Sequence, residues 1–266
     1  MNKVLCAASL LITLIGTLCA VSIQDLINDN MIPEIKIVGG TIRLDLSSKD
    51  IDNLDGLLHI PGIKTVRWLL LNNNTLTSIQ PYAFAGLDSM ERLDLSGNLL
   101  QNIHCRTFKG LKMLHELNLS NNVLTNMELG SFKGLGYLMR LNLSGNHFAE
   151  IQGAVFRELV SLRKLVLDAN RLTHLRGLFT YLDSLIELSL ADNMLEIIEA
   201  EAFSVLKSLE FLNLNDNPIF DMHANALQGL VNLLYLRLSR NRLSKDARRR
   251  LEQNVRLIAP QAIILF

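Results

Sequence analysis

Residues able to do acid–base, nucleophilic or metal chemistry are few in this chain and poorly spaced for it. Six histidines (His59, His104, His115, His147, His174 and His223) are scattered along it. No HxxxH or CxxC spacing brings metal ligands together. The Ser-Gly-Asn strings at Ser96 and Ser144 lack the GxSxG frame that exposes a nucleophilic serine on a sharp turn. No glycine-rich loop has the spacing of a phosphate or dinucleotide cradle. The sequence therefore predicts no enzyme, no metal site and no cofactor.

Two smaller features invite a functional reading. Cys105 is the one cysteine outside the first 20 residues, the others being Cys6 and Cys19. It reads either as a buried, unreactive thiol or as half of an intermolecular disulfide; a monomer is expected rather than a Cys105-linked dimer. Arg248-Arg249-Arg250 reads as a solvated helix face, with contact to an anionic polysaccharide as the alternative. The 26 basic and 26 acidic side chains cancel. No global field draws the chain to nucleic acid or to acidic membranes.

The stretch Leu114–Leu135 explains why chemistry is so sparse. It carries apolar residues at Leu114, Leu117, Leu119, Leu124, Met127, Phe132 and Leu135, with Asn122 between them. The frame recurs at Val66, Met90, Leu138, Leu162, Leu185, Leu209 and Leu233, every 24 residues except for a 23-residue step from Leu162. Eight copies of LxxLxLxxNxL define a solenoid of the leucine-rich repeat type. The alternating LxL positions predict a short half-buried strand in each copy. One coil cannot bury its own leucines, so coils stack and the strands form a parallel sheet. At the ninth position stand Asn74, Asn98, Asn122, Asn146, Asn170, Asn193, Asn217 and Asn241. The chain turns inward there, and an amide offers both donors and an acceptor to stranded backbone groups. A second spine of Phe84, Phe108, Phe132, Phe156 and Phe203 reads as core beneath the outer wall. The short repeat puts Phe179 one position early, which predicts a local bulge.

These residues resemble the typical 24-residue subclass of leucine-rich repeats found in Toll-like receptor, Slit and chaoptin ectodomains. The resemblance covers roughly residues 41–243, without the cysteine-rich flanks common in that family. It implies an α/β fold: a curved right-handed superhelix with a parallel β-sheet on its concave face and short 3₁₀ or irregular segments on its convex face. It also implies extracellular recognition of a protein or a microbial surface molecule.

The ends depart from the repeat. Residues 1–20 read as a secretory signal peptide: Lys3, an apolar run from Val4 to Leu18, then small residues, with cleavage after Ala20 or Ser22. Some 15 apolar residues fall short of the roughly 20 that span a bilayer, and no later segment qualifies. A secreted, extracellular protein is expected. Residues 21–40 are assigned to an N-terminal cap, with a hairpin turning at Gly39-Gly40. Its second strand doubles as the first solenoid strand, where Lys49 replaces the asparagine. Repeats occupy 41–243. Residues 244–266 form a C-terminal cap: Ser244 as N-cap, a helix with Ala247, Leu251, Val255 and Ile258 on one face, Pro260 as stop, and a final strand.

Function must then lie on the open sheet, whose third and fifth positions point away from the leucines. Trp68, Leu70, Arg92, Arg140, Lys164, Phe211, Asn213, Tyr235 and Arg237 are the candidate ligand contacts there, since exposed aromatics and arginines are interface anchors. Sequons place possible N-glycans on Asn73, Asn118 and Asn142. The latter two fall in the middle of the sheet and would confine a protein ligand to its ends. The expected function is a secreted recognition module, with a matrix or adhesion protein or an enzyme inhibitor as alternatives.

Overall fold

A computed structural model describes residues 21–266; the expected signal peptide lies outside the described residues. Each repeat forms a three-residue strand centred on the first leucine of its LxL, which is buried as Leu117 is between Glu116 and Asn118. In chain order the strands are β1 (Lys36–Val38), β2 (Thr41–Asp45), β3 (Trp68–Leu70), β4 (Arg92–Asp94), β5 (Glu116–Asn118), β6 (Arg140–Asn142), β7 (Lys164–Val166), β8 (Glu187–Ser189), β9 (Phe211–Asn213), β10 (Tyr235–Arg237) and β11 (Ile263–Leu265). They make one 11-stranded sheet in sequence order. All pairings are parallel except the β1–β2 hairpin. Register is one repeat per step, so Arg140 faces Glu116 on one side and Lys164 on the other. Strands end after three residues because the chain turns inward at the asparagine.

The asparagines form a continuous ladder. Asn146 Nδ2 donates to Leu143 O and to Leu119 O in the preceding coil, both at 3.0 Å. Its Oδ1 accepts from Leu124 N at 3.0 Å. The first rung is adapted to the cap: Asn74 Oδ1 accepts from both Lys49 N and Ile51 N. At the last rung Asn241 Nδ2 donates to Leu214 O and Leu238 O, but its buried Oδ1 has no partner.

The outer wall is mostly turns. It holds 3₁₀ segments at Leu57–His59, Ile63–Thr65 and Gly153–Phe156, and two-residue parallel bridges join 102–103 to 126–127 and 197–198 to 221–222. Phe84, Phe108, Phe132 and Phe156 stack at 6.3, 6.2 and 6.1 Å between centroids. The stack resumes at Phe179–Phe203, 5.8 Å apart. No ring contact joins Phe156 to Phe179 across the step into the short repeat. A Cβ on Gly153 would lie 2.1 Å from Gly177 O, so only glycine fits where the two coils meet.

Both caps contain helix. The N-terminal one, α1 (Ile23–Asn28), is absent from the sequence-based reading. Ser22 caps it reciprocally with Asp25, and it buries Ile23 and Leu26. At the other end α2 (Lys245–Ile258) starts at Ser244, whose Oγ accepts from Ala247 N at 3.1 Å, and buries Ala247, Leu251 and Val255. No described helix is long and apolar enough to cross a membrane.

Candidate functional site

Along the concave sheet the nine candidate contacts fall into regions of different chemistry. In the centre the charges answer one another. Glu116 faces Arg92 and Arg140, each at 3.6 Å, and Lys164 pairs with Glu187 at 2.6 Å. At the N-terminal end the Arg92 guanidinium also lies 5.6 Å over the Trp68 ring, with half-buried Leu70 beside it. Three of the expected contacts, Arg92, Arg140 and Lys164, therefore already have carboxylate partners.

The sequon asparagines in the middle are partly committed as well. Asn118 Oδ1 accepts from Ser120 N and Oγ at 3.1 and 2.8 Å, and Asn142 does the same with Ser144 at 3.0 and 2.8 Å. These short loops fix the start of each inward turn. Asn73 is exposed, at positive φ.

Asp168 stands at the lip beyond Val166. Burial pushes its carboxyl above the ordinary range, and Asp192 adds to that; hydrogen bonds from Ser189 and Ala191 N and the charge of Lys164 oppose it without cancelling it.

The C-terminal end differs. Phe211 and Tyr235 sit 6.4 Å apart with rings tilted at 49°, and the Arg237 guanidinium covers Phe211 at 4.9 Å. No carboxylate pairs with Arg237 among the described residues. Asn213 takes a supporting part: its Nδ2 donates to Ser189 Oγ and its Oδ1 accepts from Asn215 N.

The structure adds two residues that the sequence frame missed. Strand β11 places Ile263 beside Tyr235 and Leu265 beside Arg237. Both remain exposed, at 50% and 43%. They extend the two concave columns past the last recognisable repeat, and only the pairing of β11 could reveal that.

Of the two secondary features, Cys105 departs from the buried reading, while Arg249 and Arg250 are exposed on the cap helix as expected. Cys105 is exposed rather than buried; its amide donates to Glu128 Oε2 at 3.0 Å and its side chain lines a groove on the outer wall. The arginine run is divided: Arg248 lies over Phe266 at 5.0 Å and Arg250 faces Asp221 at 3.6 Å. Among the described residues no group of three or more His, Cys, Asp or Glu is placed to hold a metal ion.

A family model described as leucine rich repeat matches residues 64–124, 112–172 and 161–219. The chain belongs to the leucine-rich repeat family. No curated protein sequence matches it. Among solved structures it is similar to TLR13, determined in complex with ssRNA13, at 29% identity and a TM-score of 0.57, covering 68% of this chain and 29% of that one. It is also similar to a leucine-rich repeat protein of Leptospira interrogans, at 26% identity and a TM-score of 0.60, covering 84% of this chain and 60% of that one. This chain thus spans less than two thirds of either relative. Leucine-rich repeat folds are recognition scaffolds that bind proteins and other ligands.

Proposed function

We propose that this leucine-rich repeat protein is a secreted, extracellular recognition factor that binds a protein or a microbial surface molecule through the C-terminal end of its concave face. One observation carries the reading: Phe211, Tyr235, Ile263 and Leu265 share a single open surface with Arg237, which pairs with no carboxylate among the described residues, while Arg43, Arg92, Arg140 and Lys164 each face one. Clustered aromatic and aliphatic side chains around an arginine are the composition of an interface hot spot. Charges already paired must be stripped from their partners before they can serve a ligand, so the central strands contribute little affinity.

Glycans on Asn118 and Asn142 fit this arrangement, since they would cover the centre and leave the C-terminal strands clear. Cleavage after Ala20 fits the cap better than cleavage after Ser22, because Ser22 is the reciprocal N-cap of α1.

The test is affinity capture with the mature chain, followed by identification of what it retains. Capture of one extracellular protein that is lost with the Phe211→Ala/Tyr235→Ala double variant and kept with Arg140→Ala is the expected result. Equal capture by both variants would remove the C-terminal end from the account.

A further inference from the structure

The outer wall carries a second surface, remote in chemistry from the concave sheet. A groove of about 830 Å³ crosses the return segments of consecutive coils, between Tyr82 and Glu158. Lys109, Lys133 and Arg157 line it. They occupy the same repeat position, each directly after a stacked phenylalanine of the spine. The corresponding residues in neighbouring coils are Ala85, Thr180 and Ser204, so the cationic column is confined to three consecutive coils. Phe108, Phe132 and Phe156 stack at 6.2 and 6.1 Å, the coil-to-coil spacing of the rings that precede the three cations.

All three are exposed, and none takes part in an ion pair among the described residues. Lys112, by contrast, meets Asp88 at 3.3 Å. The lining also has apolar surface: Leu129 is 60% exposed and Tyr82 is 40% exposed. Lys109 Nζ lies 5.1 Å over the Tyr82 ring. The one carboxylate in the lining is Glu158. In a chain of zero net charge, such a local excess of unpaired cations is complementary to an anion.

The pitch selects among anions. In an extended peptide every second side chain points the same way, about 6.6 Å apart along the chain. That spacing is close to the 6.2 and 6.1 Å between the phenylalanines that precede the cations, within reach of long side chains, so three carboxylates at alternate positions can meet Lys109, Lys133 and Arg157. The intervening side chains can then meet the exposed apolar surface of the lining, such as Leu129. We infer that the convex groove binds an extended acidic peptide segment of a partner protein, with acidic residues at alternate positions and apolar residues between them. This site is independent of the C-terminal concave surface.

The test uses the full chain and two labelled synthetic peptides of the same composition. One alternates glutamate and valine; the other groups them into a glutamate block and a valine block. The alternating peptide is expected to bind at least tenfold more tightly, to weaken as salt is raised, and to slow alkylation of Cys105, read by peptide mapping. The Lys109→Glu/Lys133→Glu/Arg157→Glu variant should lose at least tenfold in affinity while keeping its thermal midpoint. The Phe211→Ala/Tyr235→Ala variant should bind the peptide normally, which separates this site from the concave one. Equal affinity for both peptides, unchanged Cys105 alkylation, or unchanged affinity in the charge-reversed variant would overturn the inference. So would a single-stranded oligonucleotide that binds the groove more tightly than the alternating peptide.

Discussion

The middle of the concave sheet and its C-terminal end share one register, yet they present opposite chemistry. At β4–β8 a cation on one strand meets a carboxylate on a neighbour, and Glu116 serves two arginines. At β9–β11 the same column becomes Phe211, Tyr235 and Ile263. A repeat solenoid permits this because the inward positions carry the fold and the outward ones are free to vary. The difference teaches where affinity and stability reside. On the proposed reading the end meets the partner, while the charges of the centre answer one another.

The sharpest way to break that contrast is to truncate the end. The Phe211→Ala/Tyr235→Ala variant should lose about 2–4 kcal/mol of partner affinity, measured by calorimetry once the partner is in hand. Removing Glu116, at the centre, should alter affinity and stability by less than about 1 kcal/mol, as expected of partly exposed ion pairs. A large binding effect from Glu116→Ala would reverse the assignment.

Stability should show the opposite preference. Asn146→Ala removes an amide that satisfies three buried backbone groups and should cost about 1–3 kcal/mol in denaturant unfolding. Asn241→Ala removes only two bonds, from an amide whose oxygen is already unpartnered, and should cost less. Equal losses would mean that the ladder is not what holds the centre.

The smallest effect concerns Asp168. Burial raises its carboxyl in the folded state, so the native chain holds this proton more tightly than the unfolded one. Stability from this group is full below the ordinary carboxylate range and falls as pH rises through the raised folded value. Asp168→Asn removes that penalty while an amide oxygen can still accept from Ala191 N. The variant should be more stable near neutrality by under about 1 kcal/mol after allowance for solvent. Thermal melts should show the gap closing in acid.

Most of the architecture was legible because the repeat states it eight times over. Leu117, Leu119 and Asn122 have equivalents in every coil, so errors of register average out. What escaped notice lies where repetition stops. Helix α1 has only Ile23 and Leu26 as buried anchors, too few for periodicity to register in a six-residue helix. Ile263 and Leu265 join the concave columns only because β11 pairs with β10, beyond the last full LxxLxLxxNxL. The Lys109–Lys133–Arg157 column was hidden for another reason. It recurs at the repeat period, but on a wall whose residues are neither core nor sheet, where the leucine pattern says nothing about charge. The exposure of Cys105 escaped on the same wall.

The step from Gly153 into the contracted coil that holds Gly177 divides the phenylalanine spine into a run of four rings and a run of two. Along a one-dimensional array, cohesion is the sum of nearest-neighbour contacts, and this seam is without the ring-on-ring contact its neighbours have. Pulled from its ends, or loosened by denaturant, the molecule should part there first. The coils before it and the coils after it would then separate as two blocks.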